Sequence, residues 1–337
     1  MRIWPVPRPR NHITSGSDGS EIGAGSACIP GVSSARSALW AAFAQGSSAR
    51  RRYPEDVSET RAEADFQSDL DLALRLADAA DAQSLPRFDA ADLNVSLKAD
   101  RSHVTDADLA TERAIREILQ AERPEDGILG EEYGTSGDTH RQWIVDPIDG
   151  TANFLRGVPL WGTMISLAVD GVARVGVVSM PALGRRWWAA PGLGAWASTD
   201  AEPRRIRVSE VADLDDASVS FQSISQWDEA GHLDTLIALS RRVWRDRAYG
   251  DVFSYMMLAE GRIDMVAEFG VKEYDIAAAF AIVAEAGGTA TAFDGAPTLS
   301  GRTALATNGV LHPAFLEQLC TSVAQPDPAG LQSPAAP

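Results

Sequence analysis

The chain has 337 residues, 45% of them apolar, enough for one large domain or two small ones with a substantial core. A net charge of −17 argues against a nucleic-acid surface, and no apolar run approaches the roughly twenty residues of a membrane helix. Two distant cysteines, Cys28 and Cys320, offer neither a disulfide framework nor a zinc cluster, so a soluble protein of a reducing cytoplasm is expected.

Residues 1–60 are rich in Ser, Gly, Pro and Arg and lack a sustained apolar period. As far as Arg52 they carry seven Arg against Asp18 and Glu21. They are expected to be a disordered extension, with a start codon placed too far upstream favoured over a targeting peptide because there is no compact apolar segment. The Pro/Ala-rich residues 325–337 are expected to be a loose tail.

Between them lies one domain, 61–324, with an α+β part over 61–215 and an α/β part over 216–324. Helical spacing predicts helices over Phe66 to Ala82 and Ala107 to Leu119. β-rich runs follow at Met164 to Val169 and Ala173 to Met180, joined by Asp170-Gly171, a strong hairpin signal; Arg185 to Ala190 and Gly194 to Ser198 continue the meander. Helices are expected again at Asp228 to Val243, Asp251 to Glu260, Ile276 to Ala286 and Pro313 to Val323. Short strands fit at Ala217 to Phe221, Asp264 to Ala267, Thr289 to Ala292 and Thr303 to Ala306. This alternation implies layered α/β packing.

The chemistry-bearing segment is Trp143-Ile-Val-Asp146-Pro-Ile-Asp149-Gly-Thr151-Ala-Asn-Phe154, an apolar strand that runs into two Asp three apart. Carboxylates on such a turn, with a carbonyl between them, suit the oxygen-rich octahedron of magnesium; the alternative is a plain Asp-Pro and Asp-Gly turn. Further acids stand at Gly130-Glu131-Glu132 and Tyr274-Asp275-Ile-Ala-Ala. Divalent cations held by such acids would let an acidic protein bind an anion.

Together, Gly-Glu-Glu, Asp-Pro-Ile-Asp-Gly-Thr and aromatic-Asp-x-Ala-Ala resemble the signatures of the inositol-monophosphatase-like superfamily, in order and in separation. The likeness extends from about Phe66 to Leu319 and includes Lys98, Val104-Thr105-Asp-Ala-Asp108 and Glu285-Ala-Gly-Gly288. It implies a five-layer α/β/α/β/α sandwich, a homodimer, and a phosphomonoesterase with two or three Mg²⁺ held by Glu131, Asp146, the Ile148 carbonyl, Asp149 and Asp275. It further implies that Thr151 and Asp108 orient and deprotonate the attacking water while the N–H groups of Gly150 and Thr151 cradle the phosphate. Each position has a structural alternative: Asp275 as a helix N-cap, Thr105 with Asp108 as a capping box, Glu131 and Glu132 as a solvated loop.

For the ester itself, the run Arg245-Asp-Arg247-Ala-Tyr-Gly250-Asp251 resembles the histidinol-phosphate phosphatase branch, where inositol enzymes have a small neutral residue or threonine after the glycine. Asp251 and Glu268 would face the ammonium of such a substrate, with Arg247, Gly250, Ile148, Asp149 and Asp275 also counted at the substrate site. The alternatives are an N-cap for Asp251 and a surface acid for Glu268. Inositol or sugar phosphates are the second choice of substrate, and a non-catalytic metal- or partner-binding protein the third reading. None of the five histidines makes a nucleophile or metal arrangement, and no Gly-x-Ser-x-Gly elbow exists.

Overall fold

The computed structural model of the chain describes residues 57–98, 102–198 and 202–321, with side chains over 66–98, 102–198 and 202–319. These residues fall in one compact unit, Glu55–Pro337. The expected extension and tail lie outside the described residues, except that 57–60 already belong to the first helix, α1 (Val57–Ser84).

A short antiparallel hairpin, β1 (Val95–Leu97) with β2 (His103–Thr105), leads into α2 (Asp106–Glu122). Thr105 caps that helix: its hydroxyl accepts from the Ala107 and Asp108 N–H groups while the Asp108 carboxylate accepts from Thr105 N–H. The larger sheet follows, formed by β3 (Gly127–Gly130), β4 (Gly134–Ser136), β5 (Arg141–Asp149), β6 (Gly162–Val169), β7 (Val172–Met180), β8 (Arg185–Ala190), β9 (Gly194–Ser198) and β10 (Arg204–Arg205). Its order among the described residues is β10-β9-β8-β7-β6-β5-β3-β4, antiparallel except for β3 beside β5. Asp170 and Gly171 both take positive φ, 51° and 75°, the backbone of a two-residue turn whose twist matches the strands it joins. A single-turn helix, α3 (Thr151–Leu155), separates β5 from β6.

The second sheet is built from β11 (Ser218–Phe221), β12 (Arg245–Arg247), β13 (Met265–Phe269), β14 (Thr289–Thr291) and β15 (Thr303–Thr307), in the order β12-β11-β13-β15-β14. The helix expected over Asp228 to Val243 is instead two, α4 (Ile224–Glu229) and α5 (Leu233–Arg242), because Gly231 turns the chain at φ 75°. The remaining helices are α6 (Asp251–Ala259), α7 (Glu273–Glu285) and α8 (His312–Thr321).

Period-2 burial dictates the layers. Trp143, Val145, Ile165 and Val177 pack with Leu72 and Leu76 of α1 and Ile115 and Leu119 of α2 on one face of the large sheet. The residues between them, Ile144, Met164 and Val178, face α6 and α7. Those helices also meet Val266, Ala304 and Ala306 of the second sheet, whose other face packs Val219, Met265 and Leu305 against α5 and α8. Helix α7 is buried from Ile276 through Val283, as a helix between two sheets must be. At Gly176 a Cβ would lie 2.4 Å from the Ala278 carbonyl oxygen, so only glycine lets β7 approach α7 this closely. The expected layered α/β sandwich is the observed fold.

Candidate active site

The end of β5 is irregular in a useful way. Pairing with β6 shifts between Asp146 and Asp149, where Pro147 interrupts the ladder, so this turn projects inward with its two acids. The Asp146 carboxylate accepts from Ile148 N–H (3.0 Å), and Pro147's carbonyl accepts from the Thr163 hydroxyl (2.8 Å). Gly150, at φ 85°, starts α3. The Thr151 hydroxyl donates to the Ile148 carbonyl (3.1 Å) and lies 3.4 Å from Asp108 Oδ1. Asp108 therefore serves the capping box through Oδ2 and faces Thr151 through Oδ1, so capping leaves one carboxylate oxygen turned toward Thr151.

Glu131 follows β3, its N–H bound to the Val145 carbonyl (3.1 Å), which sets it beside β5. Its carboxylate and that of Glu132 both accept from Lys98 Nζ, at 2.7 and 2.8 Å. Glu112, fully buried on α2, clamps the same loop by accepting from the N–H groups of Glu132 (2.7 Å) and Tyr133 (3.2 Å). Sequence reasoning passed over Glu112, because an i, i+4 pair with Arg116 reads as a surface ion pair.

Asp275 is not an N-cap. Lys272 occupies that position and Asp275 the third position of the helix, its carboxylate accepting from Lys272 N–H (2.7 Å). Asp251 is not a cap either: Gly250, at φ 86°, precedes α6, and Asp251 itself is held in the left-handed region at φ 49°. Its Oδ2 accepts from Asn153 Nδ2 (2.7 Å), and the next N–H, of Val252, donates to Asp149 Oδ2 (2.7 Å). Glu268 is no surface acid; it is 5% exposed on β13 and accepts from the Tyr255 hydroxyl (2.9 Å).

Of these residues Asp149, Asp251, Val252, Tyr255, Glu268 and Asp275 line a cavity of about 170 Å³ together with Gln222 and Val271, whereas Asp108, Glu131, Asp146, Ile148 and Thr151 are not in its lining. It opens where the parallel strands β11 and β13 end, the usual place for a ligand in such sheets. Gln222 and Tyr255 carried no signal in the sequence beyond a strand end and an apolar helix. Arg247 departs from expectation: it is exposed, its guanidinium donates to the Asp246 carbonyl, and it does not line this cavity. A larger cavity, about 310 Å³, lies against Ser68, Asp69, Arg123 and Arg141. Arg141 there is already paired with Asp69 and Asp126, and none of the expected site residues line it.

The electrostatics are those of crowded, buried acids. Burial first, then the charges of Glu131, Asp149, Asp275 and Asp108, push the Asp146 carboxyl well above the usual range. Burial and Asp251 do the same to Asp149. Burial raises Asp275 to about 6 and Glu268 to about 8. Among the described residues no three acids or histidines already form a ligand cage, each carboxylate being turned to a local donor. The donor set is nevertheless all oxygen, mutually repelling and largely screened from solvent, with Asp146 buried and Glu131, Asp149 and Asp275 half-buried, and fits a hard divalent cation that would replace those donors.

The layered sandwich thus sets Asp108 and Thr151 beside a cluster of acids at its sheet edges, on the fold of a metal-dependent phosphatase family. The chain belongs to the inositol monophosphatase family, which matches residues 65–325. It is 54% identical over 253 residues to a histidinol-phosphatase of Mycobacterium tuberculosis, covering 74% of this chain and 97% of that protein. A histidinol-phosphatase of Streptomyces coelicolor is 48% identical over 260 residues, 76% of this chain and 98% of the relative. Among solved structures, the extragenic suppressor protein suhB of Bartonella henselae is similar at a TM-score of 0.69 with 28% identity, over 75% of this chain and 98% of that one. No helix among the described residues is long and apolar enough to cross a membrane.

Proposed function

We propose that the protein is a magnesium-dependent histidinol-phosphate phosphatase, converting the ester and water to histidinol and inorganic phosphate in histidine biosynthesis. The observation that carries this reading is the pair Asp251 and Glu268 in one cavity with Asp149 and Asp275. A substrate bearing an ammonium group gains from these two carboxylates, one buried and one half-buried, whereas an inositol phosphate offers them only hydroxyls. The identity to two histidinol-phosphatases supports the same choice.

Glu131, Asp146, the Ile148 carbonyl, Asp149 and Asp275 would hold two or three Mg²⁺, which supply charge neutralisation of the phosphate and acidify the attacking water. Thr151 orients that water through its hydroxyl, and Asp108, 3.4 Å from it, takes the proton. Burial raises the Asp108 pKa, which suits a group that must accept a proton. The N–H groups of Gly150 and Thr151 hold the phosphate. A homodimer in the cytoplasm belongs to the same reading, supported by the family resemblance and the cysteine usage.

Phosphate release from histidinol phosphate, inositol 1-phosphate, fructose 1,6-bisphosphate and adenosine 3′,5′-bisphosphate tests the reading. Histidinol phosphate should have the highest kcat/KM by at least about tenfold, the effect of one charge-assisted contact. Preference for inositol 1-phosphate would overturn it.

A further inference from the structure

Tyr255 lies on α6 one helical turn after Asp251, so both side chains belong to the cavity wall. It is 1% exposed, and its ring packs against Phe280 with centroids 6.5 Å apart. A hydroxyl this deep needs a partner, and it has one: it donates to Glu268 Oε2 at 2.9 Å. Glu268 comes from β13, so the contact ties α6 to the second sheet within the cavity lining. Without the hydroxyl the terminal carboxylate torsion of Glu268 would be soft, since such sp³–sp² torsions have broad wells.

We propose that Tyr255 is a positioning residue for substrate choice: by fixing Oε2 of Glu268 it presents Oε1, together with the Asp251 carboxylate, as a two-acid seat for an ammonium group of the substrate. The proposal rests on the functional reading above. A neutral ester meets the same two acids with no charge to offer them, so the seat selects against it as well as for the cation. The contact also favours the ionised form of Glu268 against the burial that raises its pKa to about 8. Tyr255 touches no reacting atom, and its effect is confined to the alcohol portion of the ester.

The test compares histidinol phosphate with its desamino ester, in which hydrogen replaces the ammonium, using the full-length wild type, Tyr255→Phe, Glu268→Gln and the double variant. Tyr255→Phe should lower kcat/KM for histidinol phosphate about tenfold, mainly through KM, and change that of the desamino ester by less than about twofold. Glu268→Gln should show the same selective loss, and adding Tyr255→Phe to it should cost nothing more. Equal losses on both esters, or additive losses in the double variant, would assign Tyr255 to general packing and overturn the proposal. Should Tyr255→Phe fold poorly by its melting temperature, Glu268→Gln decides alone: retention of the full preference for the ammonium ester rejects the seat. A wild type with no such preference refutes the functional reading and the proposal together, whereas a wild-type preference untouched by Tyr255→Phe refutes only the role of Tyr255.

Discussion

Asn153 donates to Asp251 across 98 positions of sequence, at 2.7 Å, and so joins the turn after β5 to the first turn of α6. The neighbouring bond from Val252 N–H to Asp149 makes the connection double. The acid turn and the cavity wall are therefore one assembly, which Asp251 holds together and in which, on the proposed reading, it also meets the substrate.

The two roles, one observed and one proposed, separate two substitutions. Asp251→Asn keeps an acceptor for Asn153 and a side chain tolerant of positive φ, so folding should persist while kcat/KM for histidinol phosphate falls by the equivalent of about 1.5–3 kcal/mol. Inositol 1-phosphate should be hydrolysed as well or slightly better. Asp251→Ala adds backbone strain of about 1 kcal/mol or more and should lower the melting temperature too. Steady-state kinetics on both esters, with thermal melts, checks this; an equal fall on both esters after Asp251→Asn would place the residue with phosphate positioning.

At Asp146 activity and stability should move apart. The carboxyl is buried among four other acids, so Asp146→Asn relieves repulsion in the metal-free protein while removing an anionic ligand of the proposed metal site. The metal-free melting temperature should hold or rise, its increase on adding Mg²⁺ should shrink, and turnover should fall below about a hundredth of wild type. Melts with and without EDTA, beside turnover at saturating Mg²⁺, measure all three; a tenth of wild-type turnover remaining would reject the metal assignment.

Gly130 stands where a Cβ would come 1.8 Å from Glu112 Oε1. Glu112 cannot yield easily, since it also binds Arg116 Nε at 2.7 Å and the two N–H groups after Glu131. Gly130→Ala should destabilise by about 1–3 kcal/mol and shift Glu131, lowering activity even at temperatures where the variant is folded. Urea unfolding together with kinetics well below the midpoint would show it, and unaltered kinetics would mean that Glu131 is placed independently of the clamp.

A pH effect on stability is expected away from the site. His312 is 2% exposed between the hydroxyls of Thr307 (3.0 Å to Nδ1) and Thr291 (3.1 Å to Nε2), and burial lowers its pKa to about 4. The unfolded chain, with an ordinary histidine near 6.5, binds the proton first as pH falls. The contribution is thus complete above about pH 6.5 and is lost between there and pH 4, amounting to roughly 2–3 kcal/mol. His312→Gln should flatten the stability profile in that window; denaturation curves at pH 7.5 and 4.5 that shift in parallel for both proteins would exclude the effect.

Much of the local structure is legible in the sequence because its causes are local. The strands Arg185–Ala190 and Gly194–Ser198, the Asp170-Gly171 turn and the Thr105 cap follow from alternation, positive-φ turn residues and side-chain capping within a few positions. The acids Glu131, Asp146, Asp149 and Asp275 were visible as motifs for the same reason. Local pattern failed where the competing signal was equally local: the apolar period across Asp228 to Val243 concealed the break at Gly231, and the N-cap that helix-start statistics offered as the alternative for Asp251 and Asp275 is taken by neither.

What only the tertiary structure decided is which separated residues share a space. Strand order brings Gln222 at the end of β11 beside Glu268 of β13, and α6 between the sheets sets Tyr255 on Glu268 and Asp251 on Asn153, while Arg247 on the edge strand β12 is left at the surface. The chain itself determined the acids, turns and apolar faces, each set by interactions within about one turn or one hairpin. The cavity and the burial that perturbs its carboxyls arise from contacts across tens to a hundred positions, where the choice among partners belongs to the packing of two sheets around α6 and α7 and to no short stretch of residues.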